Sequence, residues 1–457
     1  MTRARSTLNF PPLRFVLSIP GEASGHYDLG YLYELGRGVP QDYAEAARWY
    51  RSSAEQGYAL AQYALARLYS AGQGVAQDSA EALAWYRKAA DQGYARAQYA
   101  LARIYRVGEG VPENHVEAAL WYYRAAQQGY VQAQSDLGVM YETGQGVPQD
   151  HVEAVAWYRK AAEQNHARAQ NNLGFMYERG RGVPQDDAEA VKWYRRAADK
   201  GLPDAELNLG VMYERGRGVA QDYAEALKWF RRAADRGFAI AQNNLGYLYQ
   251  RGHGVPQDHA EAAKWYRKAA EQGYANAQNN LGVLHQSGQA VAQDFAEARK
   301  WFRNAAQHGL AVAQYNLAVM CETGQGAPTD YAEARRWFRA AADQDNASAQ
   351  FSLGVLYENG YGVEQDYAEA VKWYRKAADH GDAAAQLNLG NMYYYGRGVP
   401  QDYVQAHKWL NLAASRFLPS EAEKCAKAVR NRDIVAKKLT RWRIAEAQRL
   451  AREWTPK

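Results

Sequence analysis

Gly57–Gln92 reads GYALAQYALARLYSAGQGVAQDSAEALAWYRKAADQ, and that outline returns every 36 residues along the chain. Trp49, Trp85, Trp121, Trp157, Trp193, Trp229, Trp265, Trp301, Trp337, Trp373 and Trp409 keep the register without an insertion or deletion. A fixed period between 20 and 50 residues decides the architecture before any local reading does. Eleven units fill residues 22–417, leaving a leader over 1–21, expected to be poorly ordered, and a basic helical tail over 418–457.

Each unit predicts two helices. In the first half of Gly57–Gln92, Ala61, Leu65, Leu68, Tyr69 and Gly72 recur at the three- and four-residue steps of one helical face; this is helix A. Gly72-Gln73-Gly74-Val75 breaks it, because glycine suits the left-handed position that ends a helix. Asp78 then caps helix B, and Glu81, three residues on, is placed to reach back to the cap's own amide in a capping box. The cap is Asp in ten units and Asn114 in the other, and its partner is Glu in ten and Gln405 in the last. In helix B, Ala82, Trp85, Tyr86, Ala89 and Ala90 make the apolar face. Ala46, Ala54 and their equivalents are Ala throughout, small enough for helix axes to approach within about 8 Å. Helices of about 12 residues are marginal alone, so the units must stack. The fold class is all-α, an α/α solenoid with one continuous core.

Ala241-Gln242-Asn243-Asn244-Leu245-Gly246-Tyr247-Leu248-Tyr249, Gly252-His253-Gly254-Val255-Pro256-Gln257-Asp258 and Ala260-Glu261-Ala262-Ala263-Lys264-Trp265-Tyr266-Arg267-Lys268-Ala269-Ala270 resemble the Sel1-like repeat family. The resemblance covers about 22–417 and implies a right-handed, superhelical, tetratricopeptide-like solenoid acting as an adaptor or scaffold in bacterial assemblies. Ile444–Trp454 resembles the closing helix of bacterial members. Departures cluster in units eight and nine, where His285 and Cys321 replace a tyrosine, Ala290 a loop glycine and Ala318 a helix glycine.

At 100° per residue, positions 60, 63, 67 and 70 of helix A lie opposite Leu65 and hence away from the core. The tetratricopeptide resemblance makes helix A the lining of the concave surface. The position of Arg67 runs Tyr31, Arg67, Arg103, Val139, Phe175, Val211, Tyr247, Val283, Val319, Val355; that of Tyr63 includes Tyr63, Tyr99, Asn171, Asn243, Asn279, Tyr315 and Phe351. Rings beside amides suit an extended peptide, whose backbone the amides bond and whose side chains the rings bury. The expected ligand is therefore a protein or peptide. The alternative is that adjacent A helices bury these stripes between them. Arg67, Arg96, Arg103 and Arg106 form a basic cluster placed either to clamp a partner carboxylate or to act as a solvated charge face.

Chemistry is sparse. There is no Walker loop, His-Glu-x-x-His or Gly-x-Ser-x-Gly motif, so no catalytic residue, cofactor or small-molecule substrate is assigned. His115, His151 and His259 share one position, but repeats about 10 Å apart cannot bring them to one metal; they read as helix-start residues. A thiolate beside an imidazole is a nucleophile constellation, yet equivalence puts His285 and Cys321 one repeat apart, and they read as relaxed packing. Some cysteine-rich family members are linked to β-lactam hydrolysis, but their paired cysteines are missing: Cys321 and Cys425 are the only two here. That hydrolase is the competing function. A net charge of +5 does not indicate nucleic acid. The tail, with eleven bases and five acids, reads as a cap for the last repeat, or as a dock for an acidic partner or anionic membrane. Basic residues before Phe15-Val16-Leu17 are interrupted by Pro11, Pro12 and Arg14, which favours a cytoplasmic chain; a signal peptide there would make it periplasmic or secreted. Oligomeric state is open.

Overall fold

The computed structural model describes residues 22–289 and 292–456, so the expectations placed on 1–21 and on Ala290 lie outside the described residues. Those described are helical, with one short 3-10 turn and no strand, and divide into two units, one ending at Gln221 and the other beginning at Asp222. In each, helices A and B alternate: from Ala23–Leu35 to Pro203–Arg215 in the first unit, and from Tyr223–Asp235 to Tyr403–Arg416, followed by the tail, in the second.

Local chemistry sets the boundaries. Helix A of repeat two, Ala59–Ala71, stops at Gly72, whose φ of 65° is left-handed. The Gln73 amide folds back to the Leu68 carbonyl at 3.0 Å, satisfying a group the last turn leaves open. Helix B, Ser79–Asp91, starts on Asp78, whose carboxylate accepts from the Ala80 and Glu81 amides at 2.9 and 3.0 Å. The reciprocal arm of the expected capping box does not form. The Asp78 amide donates instead to the Tyr69 carbonyl at 3.1 Å, so Glu81 is left to accept from the Trp85 indole at 3.1 Å. Glu261 and Glu369 accept from Trp265 and Trp373 in the same way, at 2.9 and 3.1 Å.

Packing inside a repeat is ring against glycine. A Cβ on Gly174 would lie 2.8 Å from the Tyr194 ring, which is fully buried and whose hydroxyl donates to Glu178 at 2.8 Å. Nine of the eleven tryptophans in register are buried, and Trp49 and Trp337 are half-buried.

Two devices tie a repeat to its neighbour within each unit. Buried Gln98 donates to the Ala90 carbonyl of the preceding helix B at 3.1 Å and accepts from Gln128 at 2.7 Å. Gln134 with Gln164 and Gln242 with Gln272 repeat the amide pair, both at 2.8 Å. The second device is the second glycine of the loop. Gly182 has a φ of 69° and rests on the backbone of His151 and Val152, where the preceding helix B begins; a Cβ there would come under 3.0 Å from the His151 carbonyl. The Gly-x-Gly spacing thus encodes two tasks, a helix stop and a contact between repeats.

The tail helices Ala422–Ala436 and Arg441–Arg452 both pack on Tyr403–Arg416. Trp454 meets Trp409 edge to face with ring centres 6.1 Å apart, and the Arg416 guanidinium lies 4.3 Å from the Trp454 ring centre.

Candidate helix-A interaction face

Among the assigned residues, Tyr31, Arg67, Arg103 and Tyr247 are exposed. Tyr63, Tyr99, Arg106, Val139, Asn171, Phe175, Val211, Asn243, Val283, Tyr315, Val319, Phe351 and Val355 are half-buried, and Asn279 is buried. Helical geometry predicted one open face, and the two stripes instead differ. The stripe of Tyr63 leans under its neighbours: Tyr63 meets Tyr86 of its own helix B and Tyr94 at the next repeat, with ring centres 5.7 and 5.3 Å apart. Its amides are used internally too. Asn208 donates to Asn171, Asn280 to Asn243 and Asn316 to Asn279, each at 3.0 Å, which joins successive A helices. Tyr99 donates to Asp136 at 3.1 Å, and burial together with that carboxylate pushes its phenol up to about 12. The correction has a simple cause, since a single helix has an outer face but a helix beside another of its kind shares it.

The stripe of Val139, Phe175 and Val211 in the first unit, and of Tyr247, Val283, Val319 and Val355 in the second, keeps part of its apolar surface in water. Beside it lies a row the sequence reading missed. Glu34, Glu142 and Glu178 accept the hydroxyls of Tyr50, Tyr158 and Tyr194 at 2.5, 2.6 and 2.8 Å, and Glu358 that of Tyr374 at 2.5 Å. Each bond spans 16 residues, so the recurring Glu sixteen before Tyr was the available signal.

In repeat nine, helix B carries Phe338 at the tyrosine position, and burial raises the Glu322 carboxyl above its ordinary range. A raised folded-state value means that this group opposes folding once pH exceeds the unfolded carboxylate value, and does so fully above the folded one. Glu322→Gln is therefore expected to raise Tm at neutral pH by the equivalent of ~0.5 kcal/mol after allowance for solvent screening. Melts across pH should show the gain vanishing near about pH 4.

The basic cluster is not free as a set. Arg67 pairs with Glu34, the carboxylate that also accepts from Tyr50. Tyr27, Tyr31, Glu34, Tyr63, Arg67 and Arg96 help line a cavity of about 330 Å³ there. Arg96 and Arg103 are exposed, and the Arg106 Nε is buried without a partner.

His115, His151 and His259 each open a helix B. Cys321 is fully buried, its sulfur accepts from Arg299 at 3.3 Å, and burial pushes the thiol up to about 11. Burial lowers the His285 imidazole below its ordinary value, and neither of its ring nitrogens has a partner. A protonated, enclosed thiol is the reverse of an activated nucleophile. Among the described residues no cluster of His, Cys, Asp and Glu could hold a metal ion, and no helix is long and apolar enough to cross a membrane.

Fold and face together define a class, the tetratricopeptide-like α/α solenoid built from helix-turn-helix repeats of about 36 residues. The Sel1 repeat pattern matches eleven times in succession: at 23–58, 59–94, 95–130, 131–166, 167–202, 203–238, 239–274, 275–310, 311–346, 347–382 and 383–416. The chain belongs to the Sel1 repeat family. It is similar to c5321, described as a protective antigen present in uropathogenic Escherichia coli strains displaying an SLR fold. Identity is 40% and the TM-score 0.78, covering 95% of this chain and 92% of that one. A Sel1 repeat protein from Oxalobacter formigenes is 36% identical with a TM-score of 0.56, covering 68% and 90%. No curated protein matches the sequence. Sel1 repeat solenoids are generally protein-interaction scaffolds and typically non-catalytic.

Proposed function

We propose that the chain is a non-catalytic scaffold whose A helices hold extended peptide or protein segments, on the stripe of Val139, Phe175 and Val211 in the first unit and on that of Tyr247, Val283, Val319 and Val355 in the second, each taken by itself. The observation that carries the reading is the recurrence of partly exposed apolar side chains at one position of helix A, repeat after repeat, where a solvated helix face would carry charge. The carboxylate of Glu142 runs beside that stripe and is already oriented by the Tyr158 hydroxyl, so it can accept a backbone or basic side-chain donor from a ligand at small ordering cost, whereas Glu178 is also paired with Arg217 at 2.8 Å. The stripe of Tyr63 contributes stiffness, because its amides and rings are spent between repeats.

Crosslinking and mass spectrometry in native cells test this by comparing the wild type with a Phe175→Asp, Tyr247→Asp variant. Both side chains are partly exposed, so the fold should persist while the captured partner is lost. An unchanged captured set would remove the face from the account.

A further inference from the structure

Helix B of one repeat meets helix A of the next across a shallow groove that a single hydrogen bond closes. In the first unit Arg51, Arg87, Arg159 and Arg195 donate to the hydroxyls of Tyr69, Tyr105, Tyr177 and Tyr213. In the second, Arg231 and Arg375 donate to Tyr249 and Tyr393. Where Tyr123 replaces the arginine, the groove opens into an apolar cavity of about 390 Å³ bordered by Val116, Leu120, Tyr123 and Tyr141. Repeat nine is different. Its Arg339 and the Tyr357 of repeat ten are the two latch residues, and the latch is undone.

Arg339 Nε donates to both carboxylate oxygens of Asp343 at 3.0 Å, and its guanidinium lies 4.8 Å from the centre of the Trp373 ring. The groove it leaves holds about 290 Å³, lined by Arg335, Arg336, Arg339, Leu353 and Tyr357. Arg335 stands where repeats four, five and ten have Val155, Val191 and Val371. Its counterpart one repeat earlier, Arg299, shows what such an arginine needs: Arg299 donates to Glu333 at 2.7 Å and to the Cys321 sulfur at 3.3 Å. Around Arg335 neither partner is offered. Tyr357 replaces the cysteine, and Glu369, the counterpart of Glu333, is held by Lys372 at 2.7 Å and by the Trp373 indole at 3.1 Å. Neither Arg335 nor Arg336 has an ion pair or hydrogen bond among the described residues, and Arg335 is half-buried.

We infer that this groove is a binding site for a phosphomonoester group. Two guanidinium charges remain after Asp343 answers Arg339, and they match a phosphoryl dianion better than a single carboxylate. The planar forks of Arg335 and Arg336 offer paired donors to its terminal oxygens, and the Tyr357 hydroxyl adds another. Leu353 and the Tyr357 ring wall the cavity beside these donors, so the group arrives on an apolar or aromatic body.

Isothermal calorimetry on the full chain at constant ionic strength and about pH 7.5, where phosphomonoesters are dianionic, tests the site. Phenyl phosphate should bind, inorganic phosphate more weakly, and benzoate about tenfold more weakly than phenyl phosphate. Arg335→Val installs the residue of repeat ten and should weaken phenyl phosphate by about tenfold or more while leaving the melting temperature intact. Asp343→Ala frees the Arg339 fork and should tighten binding. Absence of heat with the wild type, equal binding by Arg335→Val, equal binding of benzoate, or weaker binding by Asp343→Ala would each overturn the assignment.

Discussion

Gly182→Ala is expected to destabilise the first unit by at least ~3 kcal/mol. An L residue at a φ of 69° costs about 1–2 kcal/mol by itself. The larger part comes from the neighbour, because the new Cβ meets the His151 carbonyl and the Val152 amide at under 3.0 Å, atoms of a backbone that cannot rotate away. The loop must lift, and the coupling between repeats four and five weakens with it. Gly38 is the internal control. It holds the same loop position in repeat one at a φ of 76°, with nothing within 4 Å, so Gly38→Ala should cost only the backbone strain of about 1–2 kcal/mol. Urea unfolding followed by tryptophan fluorescence distinguishes them; equal losses would show that the contact carries no energy.

Tyr194→Ala should cost about 3–5 kcal/mol, the range for deleting a buried aromatic side chain. The ring is fully buried against Gly174, where no Cβ exists to fill the void left behind. Tyr194→Phe separates the ring from its hydroxyl. Repeats six, eight and nine carry Phe230, Phe302 and Phe338 there, so the ring alone suffices for packing, and the loss should be about 1 kcal/mol for the bond to Glu178. Thermal melts of the two variants give the comparison. A Phe variant as damaged as the Ala variant would place the energy in the hydrogen bond.

Both contacts join elements that are distant in the chain, and such contacts leave little trace in local spacing. Trp85, Asp78 and Gly72 announced helix pairs because each acts within a helix or at its end, and spacing inside one unit reveals them. Gln98 with Gln128, Arg67 with Glu34 and Gly182 with His151 act between elements 30, 33 and 31 residues apart. A one-helix wheel contains no neighbour, and so it placed Tyr63 and Asn171 in open solvent when the next repeat half covers them. The same limit produced the capping box: Glu81 had the right spacing, but the Tyr69 carbonyl, brought over by the loop, reached the Asp78 amide first. In the arginine cluster of repeats two and three, Arg67 pairs with Glu34, which lies in repeat one and outside the repeats that hold the cluster. Between repeats nine and ten the latch arginine and tyrosine are both present in the chain, and only the turn of Arg339 toward Asp343 shows that the groove is open.

Whether ligands meet the A helices is decided most directly by placing a photo-crosslinking amino acid at Val211 in one variant and at Lys192 in another. Val211 is partly exposed on helix A, whereas Lys192 is exposed on a helix B and pairs with Glu189 on its own helix. Irradiation in native cells should join a partner to the Val211 variant and not to the Lys192 variant. A partner joined at Lys192 and absent at Val211 would put the interaction on the opposite helix and contradict the account.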